Sequence, residues 1–337
     1  MPCRPAISSL SLGLPSVHAL PPRLDQAAHR GLDIELFHDE ILEIAKQFAT
    51  DGQESDHDNQ VKAAHTIRAM CDERDLKIVC LQPFRHYEGL KDREEHQRRI
   101  EEMRLWIRLV EILGIDLIGI PSSFLGEDEA SADMDLIISD LREIADMGAP
   151  HRLRFSYEAL CWGTHIDTWE KSWEVVCGVD RPNFGICIDT FNLAGRVFAD
   201  PAADNGLTPN AEAAMKLSMQ RLQEMLEVGK LFWVQVVDAK KLDKPLREEH
   251  PYYVDGQPSR MSWSRNCRLF YGEEDLGGYL PVKKVLDVLV NHFQFRGCVS
   301  AELFNKSLAD TRAEVPEEHA TRAAQSFNKL AKDYGLI

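Results

Sequence analysis

The sequence predicts a (β/α)8 barrel, a closed ring of eight parallel strands wrapped by helices, and three observations carry that prediction. Eight short apolar runs recur along the chain, most of them continuous in Val, Ile, Leu and Phe, as parallel strands covered on both faces are. Amphipathic helical segments fill the intervals between many of them. The length, 337 residues, suits one such barrel. A doubly wound open sheet competes less well, because no G-x-G-x-x-G follows the first run.

In order, the predicted strands are "AISSLSLG" (6–13), "LDIELF" (32–37), "LKIVCLQPF" (76–84) and "IDLIGIP" (115–121), followed by "RLRFSYEAL" (152–160), "FGICIDTF" (184–191), "LFWVQVVDA" (231–239) and "GCVSAELF" (297–304). Helical periodicity predicts helices over 93–113, 129–147, 165–179, 210–228, 281–293 and 315–334. The stretch 238–281 has no clear helical period, yet it holds Tyr252, Tyr253, Trp263, Tyr271 and Tyr279, so it is expected to be an ordered lid over the strand ends. With no low-complexity tract or long linker, residues 1–337 are expected to form a single barrel domain with that lid.

Composition narrows the partners. A formal net charge of −16 argues against nucleic acid, and any anionic substrate must meet a local cluster of Arg or Lys. No run of about 18 apolar residues marks a membrane span. The segment "MPCRPAISSLSLGLPSV" lacks the apolar core of a secretory leader. Eight scattered cysteines without a CxxC pair read as buried thiols of a reducing, cytoplasmic setting. "YEALCWG" invites a nucleophilic reading of Cys161, but no His–Asp arrangement is legible beside it, so a buried thiol is expected.

The chemistry lies at the strand ends. In this fold the C-terminal ends of the strands meet at one mouth, where active sites sit. There the fifth to eighth runs each place one oxygen-bearing side chain: Glu158, Asp189, Gln235 and Glu302. Three carboxylates so close repel one another unless a cation stands among them. A hard, oxygen-only set suits one divalent ion, Mg2+, Mn2+ or Co2+, better than structural Zn2+.

The motifs "ISSLSLG", "GLDIELF", "VCLQPFRHYEG", "SYEALCW", "FGICIDTFN", "VQVVDA", "MSWSRNCRLFYG" and "SAELFN" strongly resemble those of 3-dehydroshikimate dehydratases. The resemblance is to the fungal quinate-pathway type, among the xylose-isomerase-like sugar-phosphate isomerase/epimerase barrels, and it runs from about residue 6 to about 305. It implies a metal-dependent barrel that converts 3-dehydroshikimate to protocatechuate in quinate or shikimate breakdown. It also implies that the family's four metal positions fall on Glu158, Asp189, Gln235 and Glu302. Some relatives carry His at the third of these. Relatives often carry a His three residues after the Asp of the sixth strand, where this chain has Asn192.

The reaction needs a base for the proton alpha to the ketone and help for the departing beta hydroxyl. With Asn192 at the family's histidine position, His86 in "QPFRHYEG" is the first candidate base, with His38 and a metal-bound hydroxide as alternatives. Arg85 and Arg265 are the expected partners of the ring carboxylate, since the guanidinium fork binds carboxylates bidentately; Arg260 and Arg268 share the neighbourhood of Arg265. Ser264 and Asn266 are candidates for hydrogen bonds to substrate hydroxyls, and Glu35 for orienting a neighbour or the substrate. Trp263 and Tyr271 are expected to pack and close the lid. A sugar or keto-acid isomerase or epimerase, and a catalytically inactive metabolite-binding barrel, remain as rival readings. The sequence does not choose between a monomer and a homo-oligomer.

Overall fold

Successive side chains of a strand alternate between the inside and the outside of the barrel, and at the ends of four neighbouring strands the inward position is polar: Glu158, Asp189, Gln235 and Glu302. The computed structural model describes residues 4–50 and 56–336. Its elements, in chain order, are β1 (Arg4–Ser8), α1 (Leu20–His29), β2 (Asp33–Phe37), α2 (His38–Ala45), α3 (His57–Asp72) and β3 (Ile78–Gln82). There follow α4 (Arg93–Leu113), β4 (Leu117–Pro121), α5 (Met134–Gly148), β5 (Arg154–Glu158), α6 (Trp169–Val179) and β6 (Phe184–Asp189). Then come α7 (Thr190–Val197), α8 (Ala211–Met225), β7 (Leu231–Gln235), β8 (Val237–Ala239) and α9 (Ser259–Cys267). The chain closes with β9 (Arg268–Phe270), α10 (Val282–Leu286), β10 (Cys298–Ala301) and α11 (Val315–Asp333).

Eight parallel strands close in the order β1-β10-β7-β6-β5-β4-β3-β2, as the sequence predicts. Inside the ring, Cys80, Leu117, Cys187 and Trp233 make a small core of their own. The larger core lies between strands and helices and includes Trp106, Phe155 and Ile186. Helix α4 shows how local chemistry sets an element. Asp92 caps its start by accepting from the Glu94 and Glu95 amides, and Gly114, at φ 69°, ends it in a left-handed conformation that costs glycine nothing. No described helix is long and apolar enough to cross a membrane.

Several boundaries differ from the sequence reading. The first run leaves the sheet at Ser8, and Ser9–Leu12 turns into a 3-10 helix ending at Gly13. There the Ser9 hydroxyl accepts from the Phe37 amide and the Ser11 hydroxyl from the Leu303 amide. The run 231–239 breaks at Val236, and β8 departs to pair antiparallel with β9. The stretch 238–281 contains helix α9, whose weak amphipathicity hid it. The predicted helix 281–293 is α10 followed by a π turn at Asp287–His292. Helices α1, α2, α3 and α7 were not among those predicted. Cys3 lies outside the described residues; among the described residues no two cysteines form a disulfide, and Cys177 is exposed where a buried thiol was expected.

Candidate active site

The two-residue period of the strands assembles the site. Ser156, Cys187, Trp233 and Ser300 lie in the barrel, so the positions two further on, Glu158, Asp189, Gln235 and Glu302, surface together at its mouth. Register ties them: Asp189 pairs with Gln235, and Gln235 with Ser300. Glu35 of β2 and Gln82 of β3 complete the ring from the other side. All six are buried. Gly119 of β4 leaves room for this, because a Cβ there would stand 2.9 Å from the Gln82 Cβ.

A guanidinium stands among the carboxylates. Arg268 Nη1 donates to Asp189 Oδ2 at 2.9 Å and to Glu302 Oε2 at 2.8 Å, and Nε donates to the Ser264 hydroxyl at 3.0 Å. The side chain is sandwiched between the rings of Phe191, at 4.3 Å, and Phe304, at 5.1 Å. Asn192 Nδ2 donates to Glu158 Oε1 at 2.6 Å and Asp189 Oδ2 at 3.0 Å, while its Oδ1 accepts from the Cys161 amide at 3.1 Å. Asp189 also caps α7 by accepting from the Phe191 amide at 2.7 Å, which fixes its carboxylate. Below them Glu35 Oε1 accepts from Gln82 and from Gln235 Nε2, the latter at 3.0 Å, and Gln82 Nε2 reaches Glu302 Oε1 at 3.0 Å.

One guanidinium does not balance four carboxylates. Burial, then repulsion from Asp189 and Glu302, pushes the Glu158 carboxyl well above its ordinary range; Arg268 and Asn192 offset part of this. Burial and repulsion from Glu302 do the same to Glu35, whose Oε2 is buried without a partner among the described residues. Glu302 is raised by burial against the pull of Arg268. Burial opposes charge on Arg268 too, but Asp189 and Glu302 outweigh it and its pKa stands above the usual value.

This surplus of negative charge and the all-oxygen donors of Glu158, Asp189, Gln235 and Glu302 fit a divalent cation. The amide of Gln235 is oriented for it, since its nitrogen is committed to Glu35 and, among the described residues, its oxygen meets only the Cys187 thiol, at 3.6 Å. Among the described residues, however, no three His, Cys, Asp or Glu side chains converge on one point as a metal cage does. Arg268 stands beside two of the four, Asp189 and Glu302, and supplies part of the positive charge the site calls for.

A cavity of about 140 Å³ opens above, lined by Glu158, Glu302, Arg268, Ser264, Arg85 and Arg265, with Phe37, Phe124, Trp162 and Phe304 as aromatic walls. Arg85 and Arg265 are exposed and close enough that burial and Arg85 lower the pKa of Arg265. Neither makes an ion pair among the described residues; Arg265 Nη1 donates to Gln257 at 2.8 Å. The Ser264 hydroxyl lines this cavity and is already engaged by Arg268.

Other expected site residues stand elsewhere. His86 faces a neighbouring cavity of about 730 Å³ that shares Arg85 and Pro83 with the mouth. Its ring meets Phe124 edge-on at 4.3 Å, and Nδ1 is 3.4 Å from the Ser123 hydroxyl. Burial and the nearby Arg85 and Arg99 push its pKa down to about 4. His38 lines the same side cavity, with Nε2 committed to Gln60 at 2.8 Å. Glu35, wholly buried, is absent from the lining of the mouth and instead accepts from the Gln82 and Gln235 amides. Asn266 donates to Ser262 O and faces away from the mouth.

Arg260 ties the lid to the end of α7 through the Gly195 and Ala199 carbonyls, each at 2.8 Å. Trp263 stacks on Phe191 at 4.8 Å, and Tyr271 donates to Asp333 at 2.6 Å, both as packing residues. Burial raises the Cys161 thiol to about 12, so it is no nucleophile near neutral pH. The sequence reading missed Gln82, although a glutamine closing the apolar run "KIVCLQ" had the same signature as Gln235. It also gave Arg268 no role, because that role depends on the unforeseen helix α9 and ribbon β8–β9.

Comparison with known proteins agrees with this architecture. Residues 30–331 match the model of the xylose isomerase-like TIM barrels, and the chain belongs to that family. Within it, the chain is 49% identical to a 3-dehydroshikimate dehydratase of Neurospora crassa, over 99% of this chain and 95% of that protein. It is 30% identical to a 3-dehydroshikimate dehydratase of Pseudomonas aeruginosa, over 88% of this chain but only 38% of that longer protein. A solved xylose isomerase-like TIM barrel/4-hydroxyphenylpyruvate dioxygenase fusion protein superposes with a TM-score of 0.72 and 25% identity, covering 99% of this chain and 43% of that one.

Proposed function

We propose that this protein is a 3-dehydroshikimate dehydratase, a hydro-lyase that eliminates water from 3-dehydroshikimate to give protocatechuate. The observation that carries the reading is 49% identity along 99% of the chain to a dehydratase of that name. The site's chemistry supports it. The substrate is a cyclic ketone with a ring carboxylate, an acidic C–H alpha to the ketone and a hydroxyl beta to it. Arg85 and Arg265, free of carboxylate partners, hold the ring carboxylate at the mouth. The aromatic walls Phe124 and Trp162 receive the flat ring and exclude water from it.

Glu158, Asp189, Gln235 and Glu302 hold one divalent ion, Mg2+, Mn2+ or Co2+, which supplies Lewis-acid stabilisation of negative charge developing on the ketone oxygen. Asn192 has no titratable proton and holds Glu158 and Asp189 in place. His86, in the side cavity that joins the mouth at Pro83 and Arg85, takes the alpha proton at Nε2 from a substrate reaching to that junction: its imidazole is neutral near pH 7, and Nε2 has no partner among the described residues. His38, the second candidate, spends Nε2–H on the Gln60 side-chain oxygen and keeps only Nδ1 as a basic nitrogen. Loss of the hydroxyl and tautomerisation then yield the aromatic ring, which makes the step effectively irreversible. The absence of a disulfide among the described residues and a net charge of −16 fit a cytoplasmic enzyme that binds no nucleic acid.

The test is to incubate the metal-loaded protein with 3-dehydroshikimate and follow protocatechuate absorbance, with a chelator-treated sample alongside. Metal-dependent appearance of the aromatic acid is expected. Solvent-proton exchange into the substrate without loss of water would assign the barrel to the isomerases instead. Ligand binding without either reaction would make it a sensor.

A further inference from the structure

A second cavity, of about 390 Å³, lies behind the wall of the active site. Strand alternation builds it. In β9 the side chain of Arg268 enters the carboxylate site, while its neighbours Cys267 and Leu269 form the floor on the opposite side. The segment after β10 repeats the pattern: Phe304 lines the mouth and Asn305 lines the second cavity. The two segments are joined by a bridge between Cys267 and Asn305 and by the Asn305 Nδ2 bond to the Arg268 carbonyl at 3.0 Å. One thin wall therefore carries Arg268 and Glu302 on one face and this cavity on the other.

The lining is cationic in an acidic protein. Lys240, Lys244 and Lys306, all exposed, line it with Asp243 as the opposing carboxylate, and among the described residues none of the three is in an ion pair; Lys306 Nζ stands 6.0 Å over the ring of Tyr252, another lining residue. Their charge is felt by the cavity's other residues: burial raises the Cys267 thiol against the pull of Lys240 and Lys306, and burial and Lys244 lower the pKa of His250. No arginine fork is present to select a planar carboxylate. Three ammonium groups on flexible stems act as point charges and wrap a tetrahedral oxyanion.

We infer that this cavity binds a small phosphate-type anion, and that its occupancy acts through the shared wall on the placement of Arg268. The test uses the full-length, metal-loaded protein. Inorganic sulfate, a tetrahedral probe that leaves the metal in place, is titrated calorimetrically at constant ionic strength, with acetate as the planar control. Saturable sulfate binding, weaker acetate binding, and at least a roughly tenfold loss of sulfate affinity in Lys244→Gln/Lys306→Gln are expected. Saturating sulfate should also shift KM about twofold or more in the parent and leave the double variant unchanged, against a background of ordinary salt screening.

Absence of saturable binding overturns the site. So does binding that survives the double variant but is lost in Arg85→Gln, which would locate the anion at the mouth. Binding without any kinetic effect overturns the coupling. The calorimetric arm is independent of the dehydratase reading, so failure of that reading and failure of this site are told apart.

Discussion

Replacing Arg268 by Met should separate the two cations that the carboxylate ring can use. Arg268 is 1% exposed and donates to two carboxylates that lie within 3 Å of Nη1. Removing one partner of a buried ion pair costs about 3–5 kcal/mol, because the remaining charges are left uncompensated. Unfolding entropy of about 2.1 cal/mol/K per residue, over 337 residues, gives about 0.7 kcal/mol/K. The metal-free variant should therefore melt about 4–7 °C below the metal-free parent. If Asp189 and Glu302 also bind the divalent ion, Mn2+ at a hundred times its Kd adds about 2.7 kcal/mol to either protein. At a fixed Mn2+ concentration the gain should be larger in Arg268→Met, where no guanidinium competes for Asp189 Oδ2 and Glu302 Oε2. Scanning calorimetry of both proteins, stripped and Mn2+-loaded, measures all four values. A metal-free variant within about 1 kcal/mol of the parent, or identical Mn2+ shifts in the two proteins, would refute the reasoning.

Substituting His86 by Gln should lower kcat about 100-fold or more if it is the base, with a smaller effect on stability because the residue is half-exposed and packs little core. Its folded pKa, about 4, lies below the ordinary 6.5, so its contribution to stability is present above pH 6.5 and is lost as pH falls through about 4. His86→Gln should flatten that acid limb of a Tm-against-pH profile; an unchanged profile and near-parent kcat would remove it from the mechanism. Glu35→Leu should weaken Mn2+ binding about 10–100-fold, read by electron paramagnetic resonance of free Mn2+, because Gln235 loses the acceptor that fixes its amide. Parent-like Mn2+ affinity would show that Gln235 needs no such support.

The barrel was legible because its strands are short apolar runs recurring along the chain, several of them closed by a polar residue. Glu158, Asp189, Gln235 and Glu302 could be read together because in this fold the last inward position of every strand reaches the same rim. Helices α1 and α2 carry no equally plain signal: α1 begins "LPPR" and α2 is only eight residues long. The role of Arg268 was not legible for a different reason. It lies 34 residues before Glu302 and 79 after Asp189 in sequence, and only the antiparallel pairing of β8 with β9 turns it into the site. His86 shows the converse limit, for its place after β3 predicted the right end of the barrel but not that Phe124 would stand against its ring.

Asn192 shows what an amide does in this site that an imidazole could not. Its two N–H groups reach Glu158 and Asp189, and the Cys161 amide fixes which way the side chain points. An imidazole at this position has fewer donors for the two carboxylates, although it brings a titratable nitrogen; the amide keeps the carboxylates paired and leaves proton transfer to another residue. Asn192→Asp tests that account with almost no change in shape. The new carboxyl keeps an acceptor for Cys161 but, even protonated, supplies one donor in place of two. The loss of a hydrogen bond to a charged group, about 1.5–3 kcal/mol, should appear first at low pH. As pH rises the added carboxyl must ionise beside Glu158 and Asp189, so the gap from the parent should widen between about pH 5 and 8. Saturating Mn2+ should narrow it again by screening the same charges. A variant as stable as the parent across that range would mean that Asn192 does not hold the two carboxylates together.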